Sequence, residues 1–477
     1  MIVVYDAPKG AVLQKDYTLR VREEGSGTWK KVPIYHVRVD MHDVKAASMA
    51  YFDFKGKVEV ELSGPYYIYC VDIRPLSMEI IPDCDTKKVR FSLDKKANLS
   101  IEVNKDRGHN LHLFAGEIPG DVPAPEDENV LVVKGNPQKP GTTLGADTVR
   151  KLQEMKPSRV LYVTAGVHYV SEMIFRIPSD TTVYLEGGAI VIGSFVCERV
   201  ENVTVCGHGI IYQADFARFS SVDGVRISHS KNVKIADVIF INPPHYTVEI
   251  GESENIDIFD VKSFSCEGWS DGIDVMSSKN VHVKGGFLRT SDDCVAIYGS
   301  RWDYHGDSRD ILVEGITLWA DVAHPLMMGT HGDHERNGDV LENIRFYDID
   351  ILEHNEYQAG YLGCMAINVG DKNVARNITY ENIRVEPFLH GKLFDVQVRF
   401  NPDYNPAPGK GIQNVLFKDI YYNGEKEETS CIEGYNEEFV VEQVLFDNIV
   451  IGGKKVLSAK EANIVVGKYA RGICFVQ

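Results

Sequence analysis

Four carboxylates stand in two short phrases. Residues 269–275 read Trp-Ser-Asp-Gly-Ile-Asp-Val, and residues 290–297 read Thr-Ser-Asp-Asp-Cys-Val-Ala-Ile. Asp271 precedes Asp292 by 21 positions and Asp293 by 22. If the chain coils with that period, these carboxylates stack roughly 4.8 Å apart, the spacing of neighbouring strands. Like charges so close raise one pKa, so one group keeps its proton near neutral pH while another stays ionised. An acid for a leaving oxygen and a base for water are what glycosidic cleavage requires. One condition attaches. Neighbouring side chains in a strand face opposite ways, and a carboxylate turned into an apolar interior is costly. Asp292 and Asp293 therefore work together only where the chain turns or bulges.

A coil of that period is written along the chain. Asn followed by Val or Ile, a polar residue and another apolar one recurs at Asn202, Asn232, Asn255, Asn280, Asn343, Asn377 and Asn414, with weaker forms at Asp310 and Gln443. The spacings are 30, 23, 25, 30, 33, 34, 37 and 29 residues. Repeats of this length built from strand-like phrases indicate a solenoid, each coil burying its apolar face against the next. Asn suits the turn because it tolerates the left-handed conformation, and equivalent Asn residues would stack as a ladder. The expected architecture is all-β: a right-handed parallel β-helix over residues 130–477. A helix over 148–155, with Asp147 as its N-cap, closes its first end. Before it, residues 1–117 alternate polar and apolar in short runs such as Val58-Glu59-Val60-Glu61-Leu62. That pattern predicts a small antiparallel β-sandwich, joined by a linker over 118–129 with three prolines and four acidic residues.

Composition narrows the partners. With 51 Lys+Arg against 69 Asp+Glu the net charge is −18, and 44% of the 477 residues are apolar. An acidic folded chain is a poor match for nucleic acid or an anionic membrane surface. No stretch approaches 18 uninterrupted apolar residues. Nine cysteines without a CxxC pair read as reduced, mostly buried thiols. Together with the lack of a leader-like start, they set the expectation of a cytoplasmic protein.

The phrases Asp271-Gly272-Ile273-Asp274 and Asp292-Asp293-Cys294-Val295-Ala296-Ile297 resemble the pattern of glycoside hydrolase family 28, the polygalacturonases. The run Val160 to Tyr169, Leu185-Glu186-Gly187-Gly188-Ala189 and Gly207-His208-Gly209 resemble the same family's early coils, so the likeness covers roughly residues 130–450. A sandwich before the coils is more similar to family 49, the dextranases and isopullulanases, so the chain resembles the clan of both. The resemblance implies a hydrolase with Asp292 as general acid and with Asp271 and Asp293 activating water for inversion. Retention, with Asp271 or Asp293 as nucleophile, remains the competing outcome.

Three departures from the family pattern bear on substrate. Asn-Thr-Asp becomes Trp269-Ser270-Asp271. Gly-His-Gly becomes Ala323-His324-Pro325, which keeps a histidine able to hold an aspartate's protonation state. The basic Arg-Ile-Lys, which the family uses on a uronate carboxylate, becomes Ala366-Ile367-Asn368. Without that cation an anionic sugar loses a charge-assisted partner, and a neutral oligosaccharide or polysaccharide becomes the expected substrate. Aromatic rings stack on sugars; Trp269, Tyr298, Trp302, Tyr304 and Tyr361 are the candidates, with Tyr246 and Tyr357 nearby. His331, Arg336 and Asn368 complete the expected substrate contacts. The run from His331 to Arg336 has a metal-like composition but no metal-ligand spacing, so neither metal nor cofactor is expected. A uronate hydrolase, a β-helix lyase and a non-catalytic glycan binder remain open.

Overall fold

The computed structural model describes residues 1–136, 141–218, 220, 222–361, 363–424 and 427–476. Among the described residues thirty-one strands from Val130–Val133 onward form one continuous parallel stack, with one antiparallel strand pair, Val441–Ile451 and Lys454–Val456. The middle coils carry three strands each. Ile273–Met276, Lys279–Lys284 and Phe287–Thr290 make one, and Val295–Tyr298, Ser308–Glu314 and Thr317–Ala320 make the next. Alternation decides what lies inside. Val248, Ile273, Val295 and Leu326 share one interior row, and Ile256, Val281, Ile311 and Ile344 another. Toward the far end Phe346, Tyr380, Phe417, Phe446 and Phe475 stack ring on ring, with centroids 4.6–5.0 Å apart.

The asparagine ladder is present. Asn232 donates to Asn202 (3.0 Å), Asn255 to Asn232 (2.9 Å), Asn280 to Asn255 (2.6 Å) and Asn414 to Asn377 (2.7 Å). Each of these residues has a left-handed backbone, with φ between 54° and 60°. Asp310 and Gln443 occupy equivalent turns with φ of 57° and 59°. Asn at this corner meets two demands at once, the unusual φ and the side-chain bond to the next coil.

Ahead of the stack, two sheets form a sandwich. Lys30–Val32, Thr18–Glu23, Val58–Ser63, Lys88–Leu93 and Asp83–Cys84 make one sheet; Ile2–Val3, Tyr35–Val39, Lys45–Phe54, Leu111–Glu117, Ala97–Val103 and Val71–Arg74 make the other. Leu19, Val60 and Phe91 face Phe52, Leu99 and Leu113 across its core. The sandwich is not wholly antiparallel: Leu111–Glu117 runs parallel to Lys45–Phe54. The chain between them detours through the first sheet, the long crossover a parallel pair needs. Glu117 ends the sandwich's last strand, and Val130 opens the stack.

The second sheet's outer face packs on the coils through Val37, Met49, Tyr51 and Phe114 against Ile190, Ile239, Phe264, Phe287 and Trp319. Buried Arg74 pairs with Glu102 at 2.9 Å and reaches across to Glu386 at 2.6 Å. The helix spans Ala146–Glu154 and buries Leu152 in the coil core. Its N-cap is Gly145 rather than Asp147, which sits in the first turn and pairs with Arg150. A Cβ at position 145 would stand 2.7 Å from Ser171 Oγ, so close approach selects glycine there. The thiols divide differently from expectation: Cys197, Cys266, Cys294 and Cys364 are buried, whereas Cys70, Cys84 and Cys474 are exposed.

Replacing Asn255 with Ala removes both ladder bonds and leaves at φ 60° a residue without the polar side chain that eases the left-handed region for Asn. The combined cost is about 2 kcal/mol. Asn255→Gly keeps the backbone freedom and should cost about half as much. Chemical denaturation midpoints in the order wild type, Gly, Ala check this; Ala at or above Gly refutes the conformational part.

Candidate active site

Strands Val225–Ser228, Val248–Gly251, Ile273–Met276, Val295–Tyr298 and Leu326–Met328 form one wall of the coil. Their inward residues fill the core, so Arg226, Glu249, Asp274, Ala296 and Met327 form a row on the outer face. Just before two of these strands the chain turns. Thr290 ends one strand and Val295 begins the next, so residues 291–294 escape the alternation. Cys294 enters the core while Asp292 and Asp293 both stay outside, and ligand oxygens of Asp271, Asp292 and Asp293 lie within 4.8 Å of one another. Gly272 makes this possible, since a Cβ there would stand 2.2 Å from the Cys294 carbonyl oxygen.

The three carboxylates have distinct surroundings. Asp292 accepts backbone N–H bonds from Trp269 (2.8 Å) and Asp293 (3.1 Å). Burial, followed by the charge of Asp293, pushes its carboxyl up to about 6. Asp293 accepts from the backbone N–H of His324 (3.1 Å), from its Nδ1 (2.6 Å) and from the Tyr298 hydroxyl (3.3 Å). His324 Nε2 lies 2.9 Å from the Tyr361 carbonyl oxygen. Both ring nitrogens thus face acceptors, the arrangement of an imidazolium. Although burial opposes the charge, Asp293 pushes the His324 ring up to about 9. Asp271 is raised well above the ordinary carboxylate range, first by burial and then by the charges of Asp274, Asp292 and Asp293.

Two groups beside the trio carry no role in the sequence reading. Asp274 is fully buried, and neither carboxylate oxygen has a hydrogen-bond partner among the described residues. Its place was legible, because Ile273 and Val275 point inward and the residue between them must point out. Arg301 was not legible, since it comes from an irregular loop. Its guanidinium lies 5.0 Å from the Tyr298 ring centre and 4.8 Å from that of Trp302. Asp274 and Asp271 are among the charges that act on it.

Of the expected substrate contacts, Trp269 and Trp302 are each 51% exposed, and both have left-handed backbones at φ 64° and 57°. That conformation is a genuine outlier for bulky residues, and such strain gathers at functional sites. With Tyr304, His245 and Glu249 they line a cavity of about 650 Å³. Tyr304 is buried and donates to Glu249 at 2.7 Å. Tyr298 is buried beneath Arg301, and Tyr361 meets the His324 ring edge-on at 4.7 Å. His331, Arg336, Arg301, Trp302 and Tyr404 line a second cavity of about 500 Å³. Asn368 is covered, donating to Asp395 at 3.3 Å, and Tyr246 lies under Trp302 rather than in the groove. Tyr357 stands exposed against His390.

Among the described residues a second cluster, Asp223, His245 and Glu249, also brings three ligand atoms together. Arg226 fills it from Asp223 at 2.5 Å, leaving it an ion-pair network. The trio's oxygens, by contrast, face donors and one another.

The sequence model of glycosyl hydrolases family 28 matches residues 219–468, just over half of the chain, including every residue of the trio. The chain belongs to that family. A polygalacturonase of Juniperus ashei is 24% identical over 233 residues, 47% of this chain and 40% of its own length. A probable endopolygalacturonase D of Neosartorya fischeri is 26% identical over 182 residues, 37% of this chain and 34% of its own. The chain thus spans well under half of these relatives. Dex49A from Penicillium minioluteum superposes over 99% of this chain and 96% of its own with a TM-score of 0.68, at 14% identity. That likeness is one of fold, and it takes in the sandwich as well as the coils of this family-28 chain.

A raised histidine favours folding at low pH, where its proton is bound more tightly in the native state. The share from His324 should be whole below about pH 6.5 and lost as pH rises through about 9. Imidazole ¹⁵N shifts showing both nitrogens protonated at pH 7.5 check the assignment, and a ring neutral at that pH refutes it.

Proposed function

We propose that this chain hydrolyses α-glycosidic bonds in a neutral oligosaccharide or polysaccharide, with Asp292 as the acid and with Asp271 and Asp293 handling the water. The observation that carries the reading is the asymmetry within one crowded trio. Asp292, with a carboxyl near 6, keeps a proton to give to the leaving oxygen. Asp293, gripped by the His324 ring, is the standing acceptor for a proton from water. Asp271 shares their charge and holds the water between them. His324 positions Asp293 without touching substrate. Trp269 and Trp302 offer half-exposed rings for sugar stacking beside the trio.

Stereochemistry rests on family membership rather than distance. The nearest oxygens of the trio lie within 4.8 Å, close to the roughly 5–5.5 Å of retaining pairs and short of the roughly 6.5–9.5 Å of inverting ones. Inversion is the proposal, and the anomer of the first product, followed by NMR, decides it.

The loss of the family's basic pair, with Ala366 and Asn368 in its place, supports a neutral sugar, because a uronate carboxylate has no charge-assisted partner there. One observation favours a second reading. Arg301 brings a cation to the cavity shared with His331, in place of the basic residues absent at Ala366 and Asn368. Such a guanidinium suits a carboxylate. Under the neutral reading, Arg301→Gln changes kcat/KM on neutral oligosaccharides by less than about fivefold. Wild-type turnover of polygalacturonate, lost a hundredfold or more in that variant, would replace the neutral sugar with a uronate.

Changing Asp292 to Asn should lower kcat by roughly 10²–10⁴. The wild-type rate should fall as pH rises through about 6, because the acid loses its proton, and the residual rate of the variant should lack that limb. A wild-type rate that climbs across this range would remove Asp292 from the acid role.

A further inference from the structure

Residues 64–70 read Gly-Pro-Tyr-Tyr-Ile-Tyr-Cys and carry the sandwich from one sheet to the other. Tyr66 is 78% exposed, Tyr67 57% and Tyr69 84%. Three large rings held in water on one short loop are unusual on a folded surface and mark an interaction site. The loop is well anchored. Ile68 is buried in the sandwich core and its N–H donates to Thr86 at 3.1 Å. Asn104 adopts a left-handed φ of 60°, accepts from the Tyr69 N–H at 2.8 Å, and donates its amide to the Tyr67 carbonyl at 2.8 Å. The rings therefore start from a fixed backbone, and little ordering cost remains on binding.

Beside the loop lies a cavity of about 480 Å³ whose lining comes entirely from the sandwich, with Tyr66, Tyr17, Asp16, Asn104, Asp106 and His109 as its aromatic and polar members. That size is within the usual range for small-ligand sites. Tyr17 rests on Gly64, where a Cβ would stand 3.2 Å from the ring. Burial and then the charges of Asp106 and Asp16 push its hydroxyl up to about 12, so it remains a donor, and it has no hydrogen-bond partner among the described residues. Among the described residues no lysine or arginine lines the cavity, and its one histidine faces Asp106 at 3.1 Å.

We infer that the N-terminal sandwich holds a glycan-binding cleft of its own, built on Tyr66, Tyr69 and Tyr17, that takes a neutral sugar chain apart from the catalytic groove. Flat rings match the C–H faces of sugars, while Asp16, Asn104 and Asp106 offer acceptors to hydroxyl groups. Two carboxylates with neither lysine nor arginine beside them in the cavity, among the described residues, disfavour a uronate. The ligand class rests on the glycan-hydrolase reading above; the cleft itself does not.

The test uses the full chain as Asp292→Asn, run in native gels containing soluble dextran, a starch-type α-glucan or polygalacturonate. The expected result is retardation by a neutral polymer, reduced at least tenfold by Tyr66→Ala with Tyr69→Ala and weakened by Tyr17→Phe. In the active enzyme the same tyrosine changes should raise KM on polymer five- to tenfold and leave kcat/KM on a trisaccharide unaltered. Absence of retardation by either neutral polymer overturns the inference. So does retardation indifferent to the tyrosines, or self-association in light scattering that disappears in the double variant while retardation persists, which would assign the rings to a second copy. Failure of the catalytic reading shows separately, as wild-type enzyme with no turnover of any oligosaccharide while tyrosine-dependent retardation remains.

Discussion

Strict parallel register is the constraint on which the rest of this molecule depends. Side chains in a strand alternate faces, so a slip of one residue between coils would exchange the interior row with the exterior one. Val, Ile and Leu would go to water, and Arg226, Glu249 and Asp274 would enter the core. The apolar rows resist that slip by burial. The ladder from Asn202 through Asn280 resists it at each corner, because an amide bonds only its counterpart one coil away. The aspartate trio inherits its geometry from the same register, since Asp271 and Asp293 meet only because their coils stack without offset.

Register also concentrates charge. Rows on the outer face repeat at the strand spacing, so acidic residues at equivalent positions face each other across low-dielectric protein. Five carboxyls from Glu249 to Asp293 gather within about three coils, and Glu249 is itself pushed up to about 7, first by burial. Among the described residues three cations answer them, Arg226 beside Glu249, Arg301 and the His324 ring. This is too little positive charge to leave every carboxyl ionised. A crowded site with a deficit of cations must retain protons near neutrality, and retained protons are what an acid catalyst needs.

Much of this was legible in the chain, and the failures have physical causes. The coil, its Asn corners and the convergence of Asp271, Asp292 and Asp293 follow from spacing, because a solenoid turns sequence distance into spatial distance. The role of Asp274 was within reach of the same alternation. Arg301 obeys no period: it lies in an irregular loop, where a side chain's direction is set by contacts rather than by repeat. The helix begins at Ala146 after Gly145, where a Cβ would crowd Ser171, a tertiary neighbour. Local propensity favoured Asp147 but could not see that neighbour. The parallel strand pair in the sandwich was hidden for a related reason, since alternation reports burial and is silent on strand direction.

The loop that carries Arg301 explains why an open trough became a set of cavities. Arg301 and Tyr304 bridge each other's backbones, which turns the chain back over the coil wall. Tyr304 then reaches Glu249, and the His305 N–H reaches Glu252, on an earlier coil. Gly251 leaves the space that the Tyr304 ring fills, since a Cβ there would stand 2.3 Å from it. The strap buries Met276, Ala296 and Tyr298 against Tyr246 and Tyr304, excluding water from the wall next to Asp274. Burial beneath the strap raises the proton affinity of Asp274 and Asp271, while the charge of Arg301 on the same strap works against it. Left-handed Trp302 sits at the crest of that strap, where its strain is borne by a fold that needs the turn for both purposes.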